Sequence, residues 1–301
     1  MQDSLEKLIS QWESDNSLFQ PDRLFEPSQL SELGRLSKRL EILDRLDAYS
    51  PIGDLRTPDS EGLGSELHKR ARAICARLEA ANAELYRSIC FEIQRGICPA
   101  IFSPFLKPAN VGLLPRGIGY DYLDELVSGV LQLDEPANES APTGPENVFY
   151  QPTPARHIFA LIAAAAISAN DVLVDLGSGL GHVPLLVSAC TGISSIGVEL
   201  EPSFVASARQ CAERLNLGRV SFLQQEAQDA DFSSGTIFYL YTPFTGSILR
   251  NVLSSLKKEA ASRPIQICTF GPCTLTIAQE PWLEAASTPE TDRITIFCSC
   301  S

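Results

Sequence analysis

The stretch Val172-Leu-Val-Asp175-Leu-Gly177-Ser-Gly179-Leu-Gly181-His182 constrains the chain more than any other. An apolar run long enough for one strand enters a turn with glycine at alternate positions, and a helical pattern leaves it. Glycine allows positive φ and lets a ligand come close to the backbone. A strand–turn–helix unit of this kind belongs to a parallel sheet wrapped by helices, whose ligand edge lies at the carboxyl ends of the strands. Two details separate it from the pyrophosphate-binding turn of dinucleotide folds. The spacing departs from Gly-x-Gly-x-x-Gly. Asp175 also stands at the strand end, where its charge would repel a pyrophosphate and suits a ligand carrying an ammonium group.

The pattern around this loop repeats the strand–helix alternation. Apolar runs at Val172–Leu176, Ser195–Leu200, Val220–Leu223, Thr236–Tyr241 and Ile265–Phe270 predict strands, with amphipathic helices over Glu201–Leu215 and Thr245–Glu259. Only the polar link 228–235 separates the third strand from the fourth, so that crossover is abbreviated. Two last runs, Trp282–Ala286 and Arg293–Cys298, stand at hairpin spacing and predict an antiparallel pair closing the sheet. The expected fold is α/β: a Rossmann-like sheet, mostly parallel with its last strand antiparallel, behind an N-terminal helical domain.

Upstream, residues 1–100 read as helices. Leu5, Leu8, Ile9 and Trp12 recur at helical spacing, as do Leu30, Leu33, Leu36, Leu40 and Leu43. After a break at Ser50-Pro51-Ile52-Gly53, a third helix is predicted from Glu61 to Gln94, with Leu67, Ala71, Ile74, Leu78, Ala81 and Leu85 on one face. These stripes are core faces. Residues 101–148 are proline-punctuated, with one short helix over Tyr120–Leu133, and Asp134 to Pro145 reads as a linker. The predicted organisation is thus a helical domain (1–100), an irregular cap or linker (101–148) and a ligand-binding domain (149–301).

Two further acids follow the glycine loop. Glu199 ends the second strand, where a carboxylate can accept hydrogen bonds from both ribose hydroxyls; Glu201 is placed to open the next helix. Glu226-Ala227 follows the third strand, where an acid or its neighbouring backbone can meet an adenine amino group. Asp175-Leu-Gly-Ser-Gly-Leu-Gly181, Gly197-Val-Glu199 and Gln225-Glu226-Ala227 together resemble the successive cofactor motifs of class I S-adenosylmethionine (SAM)-dependent methyltransferases, over about residues 146–300. Within that superfamily, Phe149-Tyr150-Gln-Pro-Thr153 followed by these motifs resembles the non-SET histone-lysine methyltransferases, of the disruptor-of-telomeric-silencing type. In that family a Tyr-Gly-Glu-Thr segment touches the methionine part of SAM. Tyr150 and Thr153 match it, while Gln151 and Pro152 depart from it, His182 replaces a common Gln, and the basic nucleosome-binding tail is missing.

The resemblance implies SAM as cofactor, S-adenosylhomocysteine (SAH) as product, and a methyl acceptor that is a nitrogen of a protein side chain or small molecule. The implied cofactor-binding residues are Tyr150, Thr153, Asp175, Gly177, Ser178, Gly179, Gly181, His182, Glu199, Glu226, Ala227 and Tyr241. The fourth strand ends Tyr241-Thr-Pro-Phe244, where amino-methylating members resemble Asn-Pro-Pro-Tyr, so Tyr241 and Phe244 are the implied catalytic residues. An aromatic face suits a sulfonium cation. Methyl transfer rests mainly on holding donor and acceptor aligned, and a base is required only for a protonated acceptor. His182 is read as a ligand of the cofactor carboxylate or a helix cap, and His68 and His157 as structural.

Two other readings compete. The altered residues after the fourth strand fit a non-catalytic SAM-binding or partner-binding subunit, and Glu199 alone would equally suit NAD. The formal net charge of −13 argues against a nucleic-acid partner, which needs Lys and Arg against phosphates. Nine cysteines without a Cys-x-x-Cys pair point to free thiols in a reducing compartment and to no metal. With no signal-peptide pattern and a longest apolar stretch, Ile158–Ile167, far short of a membrane span, the expectation is a cytoplasmic protein without a membrane partner.

Overall fold

The computed structural model describes residues 2–19, 32–49, 66–108, 114–134, 146, 148 and 150–300. The predicted break at Ser50–Gly53, the start of the third helix at Glu61, Leu30, Phe149 and nearly all of the 134–145 linker lie outside the described residues, as does the side chain of Leu5. The chain divides into two compact units, residues 1–89 and 90–301.

The first unit is helical: α1 (Gln2–Ser14), α2 (Glu32–Tyr49) and α3 (Glu66–Gln94), the last continuing past the division. Ile9, Trp12, Ile42, Leu46, Ala71, Ile74 and Leu78 meet in one apolar cluster, which is what their helical periodicity requires. Arg39 is buried beside it. Its charge is met by Glu32 at 2.8 Å, and it donates to Asn82 Oδ1 at 2.5 Å.

The second unit carries seven strands: β1 (Val172–Leu176), β2 (Ser194–Glu199), β3 (Val220–Gln224), β4 (Ile237–Tyr241), β5 (Gln266–Phe270), β6 (Leu283–Ala285) and β7 (Thr295–Ser299). Their order is β3-β2-β1-β4-β5-β7-β6. The first five are parallel, and β7 runs antiparallel between β5 and β6. The predicted fold class is therefore the observed one. Helix α4 (Tyr122–Leu131) opens on a capping box between Asp121 and Asp124. Then come α5 (Ala155–Ala164), α6 (His182–Thr191), α7 (Pro202–Arg214), α8 (Gly246–Ala260) and the short α9 (Cys273–Ile277). The link between β3 and β4 holds only one 3-10 turn, Ala227–Asp229, so this crossover is indeed abbreviated.

The core lies where α8 covers the sheet. Leu249, Val252, Leu253 and Leu256 recur at helical spacing and pack with Phe238, Leu240 and Ile267. On β4 the core-facing and pocket-facing residues alternate, as a strand demands: Phe238 and Leu240 on one face, Tyr239 and Tyr241 on the other. The chain turns back between β1 and β4, with β2 and β3 to one side and β5 to the other. That reversal opens a crevice at the carboxyl ends of the strands, the natural ligand position of such a sheet. Among the described residues no helix is long and apolar enough to cross a membrane.

Candidate functional site

A cavity of about 700 Å³ occupies that crevice. Of the residues singled out from the sequence, Tyr150, Thr153, Asp175, Gly177, Ser178, His182, Glu199, Glu226, Ala227, Tyr241 and Phe244 line it. Gly179 and Gly181 do not; they shape the wall from behind. Gly179 has φ +52°, and a Cβ there would lie 2.0 Å from the Tyr150 ring, so any larger residue would push that ring aside.

Glu199 is held rigidly at the end of β2. One carboxylate oxygen accepts from Gly179 N at 2.8 Å, and the other from Leu200 N at 2.7 Å and Glu201 N at 2.8 Å. These charge-assisted bonds tie the acid to the glycine loop and fix its direction. Glu201 caps α7 through Ser203 N at 3.3 Å, the role its position implies.

Asp175 is in a different state. It is 3% exposed, and among the described residues no donor reaches its carboxyl group. Burial, and then the neighbouring Glu199 charge, push its pKa well above the usual carboxylate range. The Ser178 hydroxyl is likewise buried without a partner. Both residues belong to the cavity wall, and a cationic group in the cavity would meet the Asp175 carboxyl.

His182 opens α6, but Gly181 is the N-cap residue, so the histidine does not cap the helix. Its Nδ1 lies 3.3 Å from the Tyr150 hydroxyl, and burial pushes the imidazole down to about 4. It is neutral at pH 7. Tyr150 leans on Phe204 with ring centroids 4.9 Å apart. Thr153 shares a 2.9 Å hydrogen bond with the buried Tyr239 hydroxyl, which anchors the 150–153 segment to β4. His157 on α5 is fully buried and bonds the Gly117 carbonyl at 2.7 Å, in keeping with a structural histidine.

Beyond β4 the wall changes character. Tyr241 packs on Phe270, with centroids 4.6 Å apart, and burial pushes its phenol up to about 12. Thr242 adopts φ +42°, a costly choice for a β-branched residue. Its hydroxyl is clamped, accepting from Cys273 N at 3.0 Å and donating to the Phe270 carbonyl at 3.3 Å. Phe244 reaches the cavity but is only 4% exposed, and most of its ring belongs to the core under α8. Gly117, Ile118, Gly271, Pro272, Thr291 and Asp292 complete this side.

Sequence reasoning missed Tyr239 and Phe204. Tyr239 was available from the two-residue alternation with Tyr241 on β4, and Phe204 from its place in the first turn after Glu201. Nothing in the local pattern marks 117–118, 271–272 or 291–292. They are brought together by backbone bonds from Gly117 N to Asp292 O at 2.8 Å and from Gly271 N to Thr291 O at 3.0 Å.

The donor set fits SAM. Five carboxylates line the cavity (Asp175, Glu199, Glu201, Glu226 and Asp292), and among the described residues no Lys or Arg does. A pyrophosphate would meet like charge there, whereas an ammonium and a sulfonium would meet opposite charge.

Residues 145–238 match the protein-family model described as "Histone methylation protein DOT1". No curated protein sequence gives a significant match. Among solved structures, an RNA methyltransferase from Salinibacter ruber in complex with SAH is 24% identical, with 50% of this chain and 92% of that chain covered and a TM-score of 0.40. A precorrin-6y C5,15-methyltransferase from Geobacter metallireducens is 15% identical, with coverages of 50% and 89% and a TM-score of 0.39. A human methyltransferase 10 domain containing protein is 15% identical, with coverages of 59% and 93% and a TM-score of 0.39.

Proposed function

We propose that this chain, a class I SAM-dependent methyltransferase, transfers the methyl group to a nitrogen of a protein side chain or small molecule. The observation that carries this reading is the cavity at the β1/β4 reversal, lined by acids, tyrosines and a serine and, among the described residues, by no Lys or Arg. Bound SAM supplies an electrophilic methyl on a positively charged sulfur.

In this reading Glu199 holds the ribose hydroxyls, Asp175 and Ser178 meet the cationic amino-acid part, and Glu226-Ala227 lies at the adenine end. Tyr150, Thr153 and His182 close the cofactor side, with the remaining glycines, Gly177, Gly179 and Gly181, giving the loop its shape. Tyr241 and Phe244 stand on the acceptor side and keep water from the reacting atoms. Asp292, at the far edge of the cavity, gives a cationic acceptor a counter-charge before its proton leaves to solvent. Proximity and alignment supply most of the rate, which agrees with a site that lacks a charged base.

We further assign residues 1–100 to a helical domain, 101–148 to a cap or linker and 149–301 to the SAM domain. The acidic surface disfavours nucleic acid, and buried thiols such as Cys211, Cys268 and Cys273 suit the cytoplasm. A second reading, a non-catalytic SAM-binding subunit, rests on the sequence after β4, where Tyr241 stands in place of the Asn of the resembled Asn-Pro-Pro-Tyr motif.

The deciding experiment measures SAH release from SAM with polylysine and a panel of small amines as acceptors, for the native protein and for Tyr241→Ala. Release that depends on the acceptor and is lost in the variant supports transfer. SAM binding with no release on any amine favours the second reading.

A further inference from the structure

Four separate pieces of chain make the cavity wall beyond β4, and one buried side chain reaches all of them, directly or through one further contact. His157 lies in the first turn of α5 and is fully buried. On one side its Nε2 meets the Gly117 carbonyl at 2.7 Å. A carbonyl only accepts, so Nε2 carries the hydrogen and donates it. On the other side the imidazole lies against Phe270, with ring centroids 4.3 Å apart. Gly117 N in turn donates to the Asp292 carbonyl at 2.8 Å. Phe270 packs on Tyr241 at 4.6 Å, accepts from the Thr242 hydroxyl at 3.3 Å, and directly precedes Gly271. Arg156, the neighbour of His157, adds a second donor to the Gly117 carbonyl at 2.8 Å and pairs with Asp121 at 3.2 Å. The base of α5 is itself fixed, since Ala155 N donates to Asp124 Oδ1 at 2.7 Å. Gly117 has φ +89°, a conformation that favours glycine, and the next residue, Ile118, is 57% exposed on the cavity wall.

We propose that His157 is a positioning residue of the acceptor site: by holding the Gly117 carbonyl and the Phe270 ring at once, it sets the spacing between Ile118 and Asp292 at one edge of the cavity and Tyr241 at the other. This inference rests on the reading above that the acceptor enters on this side. His157 is not part of the cavity wall, and it acts through the residues it holds. The two contacts explain the residue type. A phenyl ring would pack on Phe270 but leave the carbonyl with one donor fewer, and an amide would serve the carbonyl but not the ring. The cofactor side does not depend on this arrangement. Glu199 takes its three hydrogen bonds from Gly179, Leu200 and Glu201, none of which touches His157. Damage at His157 therefore displaces the acceptor wall and spares the ribose acid.

The test uses the full chain and two substitutions that separate the contacts. His157→Phe keeps a ring beside Phe270 and removes the donor; His157→Gln keeps an amide donor and removes the ring. For each, amide hydrogen exchange is followed at Gly117 and Gly271, SAM affinity by calorimetry, and acceptor KM and kcat from SAH release on polylysine and the small amines. In His157→Phe, Gly117 should exchange roughly fivefold faster or more, and the acceptor KM should rise by a similar factor. SAM affinity should stay within about twofold of native, because the ribose acid is held elsewhere. His157→Gln should keep Gly117 protected and leave KM nearer the native value, while Gly271 exchanges faster. Unchanged exchange at Gly117 in His157→Phe, or the same KM in both variants, would overturn the positioning role. A parallel loss of SAM affinity and acceptor KM in both would overturn it in favour of general support of the fold. If the native protein methylated no amine, the transfer reading would fall and the acceptor role with it. That result is distinguishable, since exchange at Gly117 still reports whether His157 holds the turn.

Discussion

On the β1–β3 side of the cavity, the key acid Glu199 is fixed by the backbone of its own strand end and of the adjacent glycine loop, all within one continuous stretch from Gly177 to Glu201. On the β4–β7 side, the wall is assembled from four places: residues 117–118, 241–244, 271–272 and 291–292. It is held by a left-handed threonine and by two loop-to-loop backbone bonds. The first wall is local and preorganised, as recognition of a constant ligand requires. The second depends on long-range contacts and carries the strain, and the proposed function puts the acceptor there. Cofactor binding should therefore survive damage to the second wall, and transfer should not survive damage to either.

The largest effect is expected for Glu199→Ala. Loss of the charge-assisted contacts should weaken SAM binding by more than about tenfold, measured by titration. Unchanged affinity would remove the glutamate from the ribose role and break the comparison on its local side. Gly271→Ala attacks the other wall. Gly271 has φ +82°, and a Cβ there would lie 2.7 Å from Thr242 Oγ1 and 3.1 Å from the Tyr241 ring. The variant should lose most acceptor-dependent SAH release while its SAM affinity stays within about twofold of the native value; a parallel loss of both would show that the walls are not separable.

A smaller effect is expected of Tyr239→Phe, which leaves the Thr153 hydroxyl without its buried partner. Denaturant unfolding should show a loss of about 1 kcal/mol, and no change would mean that water takes the bond over. The mildest effect is on pH dependence. His182 titrates near 4 in the folded protein and near its ordinary value of 6.5 when unfolded. Between those values the unfolded chain binds the extra proton, so stability is lost as pH falls from about 6.5 towards 4. His182→Asn should flatten that part of the ligand-free stability profile. An unaltered slope would assign it to other groups.

The same contrast governs what could be read from the sequence. Strand β1 was readable residue for residue, and β2, β3, β4 and β5 to within a residue at either end, because each is an apolar run bounded by turn residues. The residues that line the β1–β3 side of the cavity were readable too, because in this topology a strand's last residue is a place in space as well as in sequence. The short helix α9 carried no signal, for five residues are too few to show a period. The apolar stretch Ile158–Ile167 shows little helical period, since the helix Ala155–Ala164 that overlaps it is hydrophobic on nearly every side. Pro243 and Phe244 show the limit most clearly. The motif positions were visible, but the left-handed turn at Thr242 that aims them was not, since its clamp comes from Phe270 and Cys273, which follow α8 in the chain. Asp292 was invisible as a site residue because only the closing hairpin, by pairing β7 with β5, carries it to the cavity.

The central claim is that the cavity at the β1/β4 reversal takes SAM. Its most direct test is calorimetric titration of the purified protein with SAM and SAH, with NAD as control. The account predicts saturable one-to-one binding of the adenosyl ligands and none of NAD. Binding of NAD, or of none of the three, would contradict it.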